Sequence, residues 1–266
     1  MGFYAFLPPE VAFARAKRAA EMALGLGDDL AEAHVSMALV HFWFDWDWAA
    51  AEREFRRGLA LHPRLVHAHM YLGQLLAATG RAEEAVAAQA AALELDPLSP
   101  LTHGIVASGL FFSRRYEAAW ARCRRALDLE PGFVQSLWAG SLVAGDLCRH
   151  GEAIEMAERA AELSGRSPLF VASLGLVLAR AGRRDQARAL LAELEARAQR
   201  EYVAPLFRAW VLTGLGERED TLACLERAFE ERNCILVALA GWSDFDWLRG
   251  DPRFERILQR MNLTPH

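Results

Sequence analysis

The stretch GRAEEAVAAQAAALELDP, Gly80–Pro97, decides the fold because the chain repeats it. RRYEAAWARCRRALDLEP restates it at Arg114–Pro131, and HGEAIEMAERAAELSG restates it at His150–Gly165. The offset is 34 residues: Ala51, Ala85, Ala119, Ala153, Ala187 and Thr221 share one register, with Ala16 standing 35 residues before Ala51. Self-similarity at such a period is the signature of a repeat architecture, in which stacked units bury one continuous core.

Three more series run in step. Ala23, Gly58, Ala92, Ala126, Ala160, Leu194 and Ala228 form one; Pro63, Pro97 and Pro131, continued by Gly165, form another. The last is Gly73, Ala107, Ser141, Gly175 and Ala209, all small. Small residues at fixed points let two helices approach closely. The endings LELDP and LDLEP stop a helix, since the residue before proline is pushed out of the α region. Gly80, Gly182 and Gly216 fall at short turns, where a left-handed residue is cheap. Each unit therefore reads as two antiparallel helices, and the chain as all-α.

The pattern resembles the tetratricopeptide repeat, whose consensus is W-x₂-L-G-x₂-Y, then A-x₃-F, then P. HMYLGQLL (His69–Leu76) and VASLGLVL (Val171–Leu178) carry the L-G, and AEREF (Ala51–Phe55) carries A-x₃-F. Gln89, Cys123 and Ala157 replace the Phe, and Thr221 the last Ala. The resemblance spans residues 10–232 and implies a right-handed α-solenoid. Six helix pairs are expected at 31–62, 66–96, 100–130, 134–164, 168–199 and 202–232. A half repeat, second helix only, precedes them within 1–30. A non-repeat segment, 233–266, follows and is expected to cap the last pair. In that segment Asp251 can cap a helix that Pro252 begins, with Phe254, Ile257, Leu258 and Met261 as its apolar stripe.

Two stretches narrow the resemblance. WLRGDPRFERILQRMNL (Trp247–Leu263) and AEAHVSMALVHFWFDWDWAAAEREFRRGLALHP (Ala31–Pro63) are similar to the C-terminal repeat region of bacterial signalling proteins. There such regions follow a class III adenylate cyclase, a Ser/Thr kinase or a winged-helix regulator domain. PEVAFARAKRAAEMALGLG (Pro9–Gly27) reads as a second helix whose partner is only the stub MGFYAFLP. Met1 is accordingly read as an excision point or an unusual start, and an uncovered edge there would favour pairing with another copy.

In the tetratricopeptide family the first helices line a concave groove, which implies groove positions here. They are His67, Met70 and Gln74; Leu101, Ser108, Phe111 and Phe112; Gln135, Trp138, Leu142 and Asp146; Leu169 and Arg180; Val203, Leu206 and Trp210. This floor is apolar and aromatic, which suits an amphipathic helix or an extended apolar peptide. Arg180 is its one cation, so it does not suit the acidic tails that chaperone-binding relatives clamp with Lys, Asn and Arg. The alternatives are a homodimerisation module with no separate peptide ligand and a small-ligand sensor.

HFWFDWDW (His41–Trp48) is the densest aromatic cluster. It falls at the turn of the first complete pair, in a unit of 35 residues rather than 34. Its reading is packing at a widened turn, with Trp48 between the paired helices and Trp46 as a possible partner hot spot. Asp45 and Asp47 break the cluster and argue against membrane insertion; no Arg or Lys accompanies it for base stacking.

Composition closes off other classes. The 266 residues are 53% hydrophobic with a net charge of −5, globular and without a basic stripe for nucleic acid. Lys17 is the only lysine, and with abundant Ala this suggests a GC-rich bacterial genome. Cys123, Cys148, Cys224 and Cys234 match no zinc spacing and read as reduced thiols of a cytoplasmic protein. MGFYAFLPPE (Met1–Glu10) has no basic stretch followed by a long apolar run, so neither a signal peptide nor a membrane span is expected from these residues. His34, His69 and His103 recur at one register, too far apart on neighbouring repeats for one ion, and read as structural. With no nucleophile elbow, P-loop or H-E-x-x-H, the sequence nominates no catalytic residue, metal site or cofactor. The expected role is a protein-interaction scaffold, not an enzyme.

Overall fold

In the computed structural model, which describes residues 7–263, the chain is a run of helices in antiparallel pairs. The stub residues Met1–Phe6 lie outside the described residues. A single helix, α1 (Pro9–Leu26), comes first. The pairs are α2 (Ala31–Val40) with α3 (Trp48–Leu61), α4 (Val66–Ala78) with α5 (Ala82–Leu95), and α6 (Pro100–Phe112) with α7 (Tyr116–Leu129). Then come α8 (Val134–Asp146) with α9 (His150–Leu163), α10 (Pro168–Arg180) with α11 (Arg184–Ala198), and α12 (Pro205–Leu215) with α13 (Arg218–Glu230). Two 3₁₀ turns, Cys234–Ala238 and Ser243–Leu248, lead to α14 (Pro252–Arg260). This is the all-α solenoid that the repeat implies.

The registers explain the stacking. Ala51, Ala85, Ala119, Ala153, Ala187 and Thr221 are at most 1% exposed, each facing its partner helix. A β-carbon on Gly73 would come within 2.7 Å of the Gln89 side chain, so glycine sets that helix separation. The first helices, α4 to α12, pack on one another in series and are buried along most of their length. The second helices show one buried stripe and form the solvated outer layer.

All six turns within pairs place a left-handed residue at the same register: Trp46, Gly80, Arg114, Cys148, Gly182 and Gly216. The three glycines are the ones the sequence marks. The other three take the same backbone at a steric cost, because the chain must reverse within about three residues.

The extra residue of the first pair is absorbed in a π-helical turn, His41–Asp45, that extends α2. Inserting one residue into a helix widens a single turn in this way. The turn swings its aromatic side chains toward the far end of the solenoid, where Trp46 stacks on Phe229 of α13 at 5.2 Å. Arg232 lies over the rings of Phe44 and Trp46 and donates to the Phe44 carbonyl at 3.1 Å. The first and last repeats thus meet, and the solenoid closes on itself. No helix among the described residues is long and apolar enough to cross a membrane.

Candidate functional site

The concave face is filled by the chain's own C-terminal segment. Asn233 begins it, its side-chain oxygen accepting from the Ile235 amide at 3.0 Å. Cys234 through Ala240 are all buried against the inner helices. Gly241 then passes so close to α6 that an added β-carbon would lie 2.2 Å from the Phe112 carbonyl oxygen, which only glycine allows. Trp242 enters an aromatic stack, 4.8 Å from Trp210 and 5.8 Å from Phe111, and Trp138 continues it at 6.2 Å from Trp210.

Charge holds the second half of the segment. Arg180 donates to Asp244 at 2.5 Å and to Asp146 at 3.2 Å, with Ser243 bonded to the same Asp146. Burial alone would lower the Arg180 pKa, but the two carboxylates more than offset it and the guanidinium is held charged. Trp242 Nε1 also donates to Asp244 at 2.8 Å, and Thr213 donates to the Asp244 carbonyl at 2.8 Å. Arg114 grips Asp246 with two bonds of 2.6 Å, and Arg249 adds a third at 2.8 Å. Burial raises the Asp246 pKa, yet these guanidinium bonds prevail and hold it below its ordinary value.

The expectation of an open groove is corrected by this arrangement. Met70, Gln74, Phe111, Trp138, Leu142, Leu169, Val203, Leu206 and Trp210 are buried, and Asp146 and Arg180 are committed to the ion cluster. His67 is exposed, while Leu101, Ser108, Phe112 and Gln135 are half-buried. The apolar floor is matched by apolar residues of the same chain. Ile235, Leu236, Val237, Leu239, Trp242, Phe245 and Leu248 are each at most 4% exposed. At about 1.5–3 kcal/mol per fully buried side chain they contribute upward of ~10 kcal/mol. A foreign peptide bound at micromolar affinity brings about 8 kcal/mol and lacks the tether. A foreign peptide would have to displace these buried side chains to reach the floor. Within the described part of the expected cap, residues 233–263, α14 packs on α13 and the stretch before it fills the groove, while residues 264–266 lie outside the described residues.

Trp46 is not an exposed hot spot. It is 7% exposed, committed to Phe229 and Arg232. Trp48 packs edge-on to Phe42 at 6.1 Å and donates its indole N–H to the Met261 carbonyl at 2.8 Å, so it serves the closure as well as its own pair. The serial histidines share one hydrogen bond: His34, His69 and His103 each reach the backbone carbonyl six residues earlier, at Asp28, Pro63 and Pro97, at 3.2, 2.9 and 3.0 Å.

What sequence reasoning missed is the occupant of the groove. A signal was present: WSDFDW (Trp242–Trp247) repeats the W-x-D-aromatic-D-W pattern of WFDWDW (Trp43–Trp48). In both copies the middle aromatic, Trp46 or Phe245, is buried and the first carboxylate meets a cation, Lys17 for Asp45 at 3.0 Å and Arg180 for Asp244, whereas Trp247 is exposed.

Residues 66–97 match the family model of the tetratricopeptide repeat. A search of curated proteins returned no match. Among solved structures, the APC/C hetero-tetramer Cut9–Hcn1 is similar with a TM-score of 0.63 and 14% identity, over 94% of this chain and 46% of that one. PilW, a type IV pilus biogenesis factor, gives 0.58 and 14%, over 86% of this chain and 98% of its own. The pilF protein of Pseudomonas aeruginosa gives 0.55 and 18%, over 88% and 98%. At these identities the likeness is one of fold: the chain is folded as a tetratricopeptide-repeat solenoid, and its residues 66–97 carry that family's repeat.

Proposed function

We propose that the chain is a non-catalytic protein-interaction scaffold, the regulatory or assembly module of a larger bacterial signalling protein that works in the cytoplasm. The six helix pairs form its frame, the half repeat its leading edge, and segment 233–266 the element that fixes its curvature. The observation that carries this reading is the filled, closed groove. Arg114, Arg180, Asp146, Asp244 and Asp246, the charged groups of the concave side, are paired with one another, leaving the frame rigid and chemically quiet. Partners then engage the outer helices and the rim around His67, Leu101 and Gln135 rather than the groove floor.

Limited proteolysis of the chain with its captured protein partner tests this. Residues 234–248 stay protected when the partner sits on the outside and become cleavable when it displaces them. Failure of the immobilised chain to retain any protein sinks the scaffold reading.

A second reading, homodimerisation, is favoured by α1. Its Met22 is 63% exposed and Leu26 88%, with Val11, and Leu30 just before α2, above 40%. An apolar edge of this kind suits a second copy. Light scattering over a dilution series decides it: a monomer at every concentration removes the reading.

A further inference from the structure

The outer helices α7 and α9 leave a groove of about 520 Å³ between them, floored by Leu137 and Met156 and edged by Glu152, Glu155, Glu158 and Glu162. We propose that this groove receives the exposed face of α1 from a second copy of the chain, in a head-to-tail contact. The proposal rests on the self-association reading of α1 and names the surface that α1 meets.

The sequence opens the groove at this repeat. His69 and His103 reach back to the carbonyls of Pro63 and Pro97, and Leu137 stands 34 residues after His103. Leucine has no donor to send back to Pro131, which lines the groove, and it makes an apolar floor instead. The carboxylates at the edge are free as well. On other outer helices a carboxylate meets an arginine of the neighbouring repeat: Glu52 with Arg81, Glu83 with Arg115, Glu217 with Arg188. Among the described residues Glu152, Glu155 and Glu158 have no ion-pair partner, and Glu162 has only Arg159 at 3.9 Å. Arg124 and Arg159 are the cations of the lining, so its four carboxylates leave a surplus of negative charge.

α1 carries the complement. Phe13 and Ala20 hold it to the first pair, Phe13 stacking on Phe44 at 5.2 Å. Its opposite face presents Val11, Arg15, Arg18, Met22 and Leu26, one helical stripe and all exposed. Arg15 and Arg18 have no ion-pair partner among the described residues. They stand three residues apart, as Glu155 and Glu158 do, so one turn of α1 sets two cations against two carboxylates. Met22, one turn further on, then meets the floor of Leu137 and Met156. A symmetric contact of α1 with α1 is disfavoured, because it would set Arg15 and Arg18, near the middle of the helix, against their own copies.

Each copy keeps one groove and one α1 face, so such a contact builds open chains or a ring rather than a two-fold dimer. Light scattering of the full chain and two double variants tests it. Glu155→Lys with Glu158→Lys spoils the groove and keeps α1; Arg15→Glu with Arg18→Glu spoils α1 and keeps the groove. All four side chains are exposed, so both variants should melt as the wild-type chain does. Each alone should be monomeric where the wild-type chain associates, and an equimolar mixture should form a one-to-one complex, the intact α1 of one copy on the intact groove of the other. A groove variant that associates as the wild-type chain does would overturn the proposal and leave self-association through α1 standing. Two monomeric variants that stay apart on mixing would also overturn it. A wild-type chain that is monomeric at every concentration would remove both.

Discussion

Trp48 donates its indole N–H to the carbonyl oxygen of Met261 at 2.8 Å, a bond spanning 213 positions of sequence. It joins the first repeat to the last helix and turns an open solenoid into a closed one. Trp48→Phe keeps the ring and removes the donor. A loss of about 1 kcal/mol is expected, the net worth of one hydrogen bond. Urea unfolding measures it, and hydrogen exchange should quicken at both ends rather than in the middle repeats. Equal quickening throughout would contradict a closure role.

Trp138 and Phe111 separate the two roles of the groove floor. Were the groove an open receptor, Trp138→Ala would leave the chain stable and silence it. With Trp138 and Phe111 6% and 4% exposed in the stack that receives Trp242, truncation opens a core cavity instead. Each alanine variant should lose about 3–5 kcal/mol. A change in melting temperature too small to detect would restore the open-groove reading.

Acid should loosen the C-terminal segment before the repeats. Guanidinium bonds from Arg114 and Arg249 hold Asp246 below its ordinary value against burial. Glu226 is lowered by its bond from Arg253, and Asp251 by the Arg253 amide it caps. A carboxyl whose folded pKa is depressed adds stability that is present above its unfolded value and lost as pH falls through the folded one. The three losses therefore accumulate as pH drops below about 4. Asp244 works the other way: burial drives its pKa up against the pull of Arg180, so its own contribution grows as pH falls. Trp242 and Trp247, two of the chain's eight tryptophans, report the segment by their own indole N–H signals in NMR. A shift near pH 4 ahead of any loss of helical signal is expected, and Asp244→Asn should leave its midpoint in place. Simultaneous loss of both signals would mean that the segment and the repeats unfold as one unit.

The contrast between these parts shows what the sequence made legible. The Ala51 series and the small Gly73 series are local packing demands, repeated six and five times, and a repeated demand can be read without coordinates. The groove residues were legible as one face, because the family's first helices always present it. Their occupant was not. Residues 233–248 have no helical period, and their fit to Trp210, Phe111 and Arg180 is complementarity between distant segments that no spacing encodes. An apolar floor reads as open in the sequence because the residues that cover it lie outside the repeat. Left-handed turns divided similarly. Gly80, Gly182 and Gly216 announce themselves, whereas Arg114 and Cys148 sit at the same register under residue types that do not.

Those two positions yield a paired prediction of opposite sign. Cys148 has φ of 58° and an exposed side chain, so its left-handed backbone is a steric cost. Cys148→Gly removes the β-carbon and should stabilise by about 1 kcal/mol, less the entropy that glycine adds to the unfolded chain. Arg114 has φ of 56° and the same strain, but its guanidinium holds Asp246 by two bonds of 2.6 Å. Arg114→Gly relieves the backbone but leaves Asp246 with Arg249 alone, so it should destabilise, with the loss concentrated in the C-terminal segment. Asp246→Asn added to Arg114→Gly should cost less than Asp246→Asn by itself, because the Arg114–Asp246 pair is already broken. Urea titration of the three single variants and the double variant checks all three. Arg114→Gly as stabilising as Cys148→Gly would show that the Arg114–Asp246 pair does not anchor the segment.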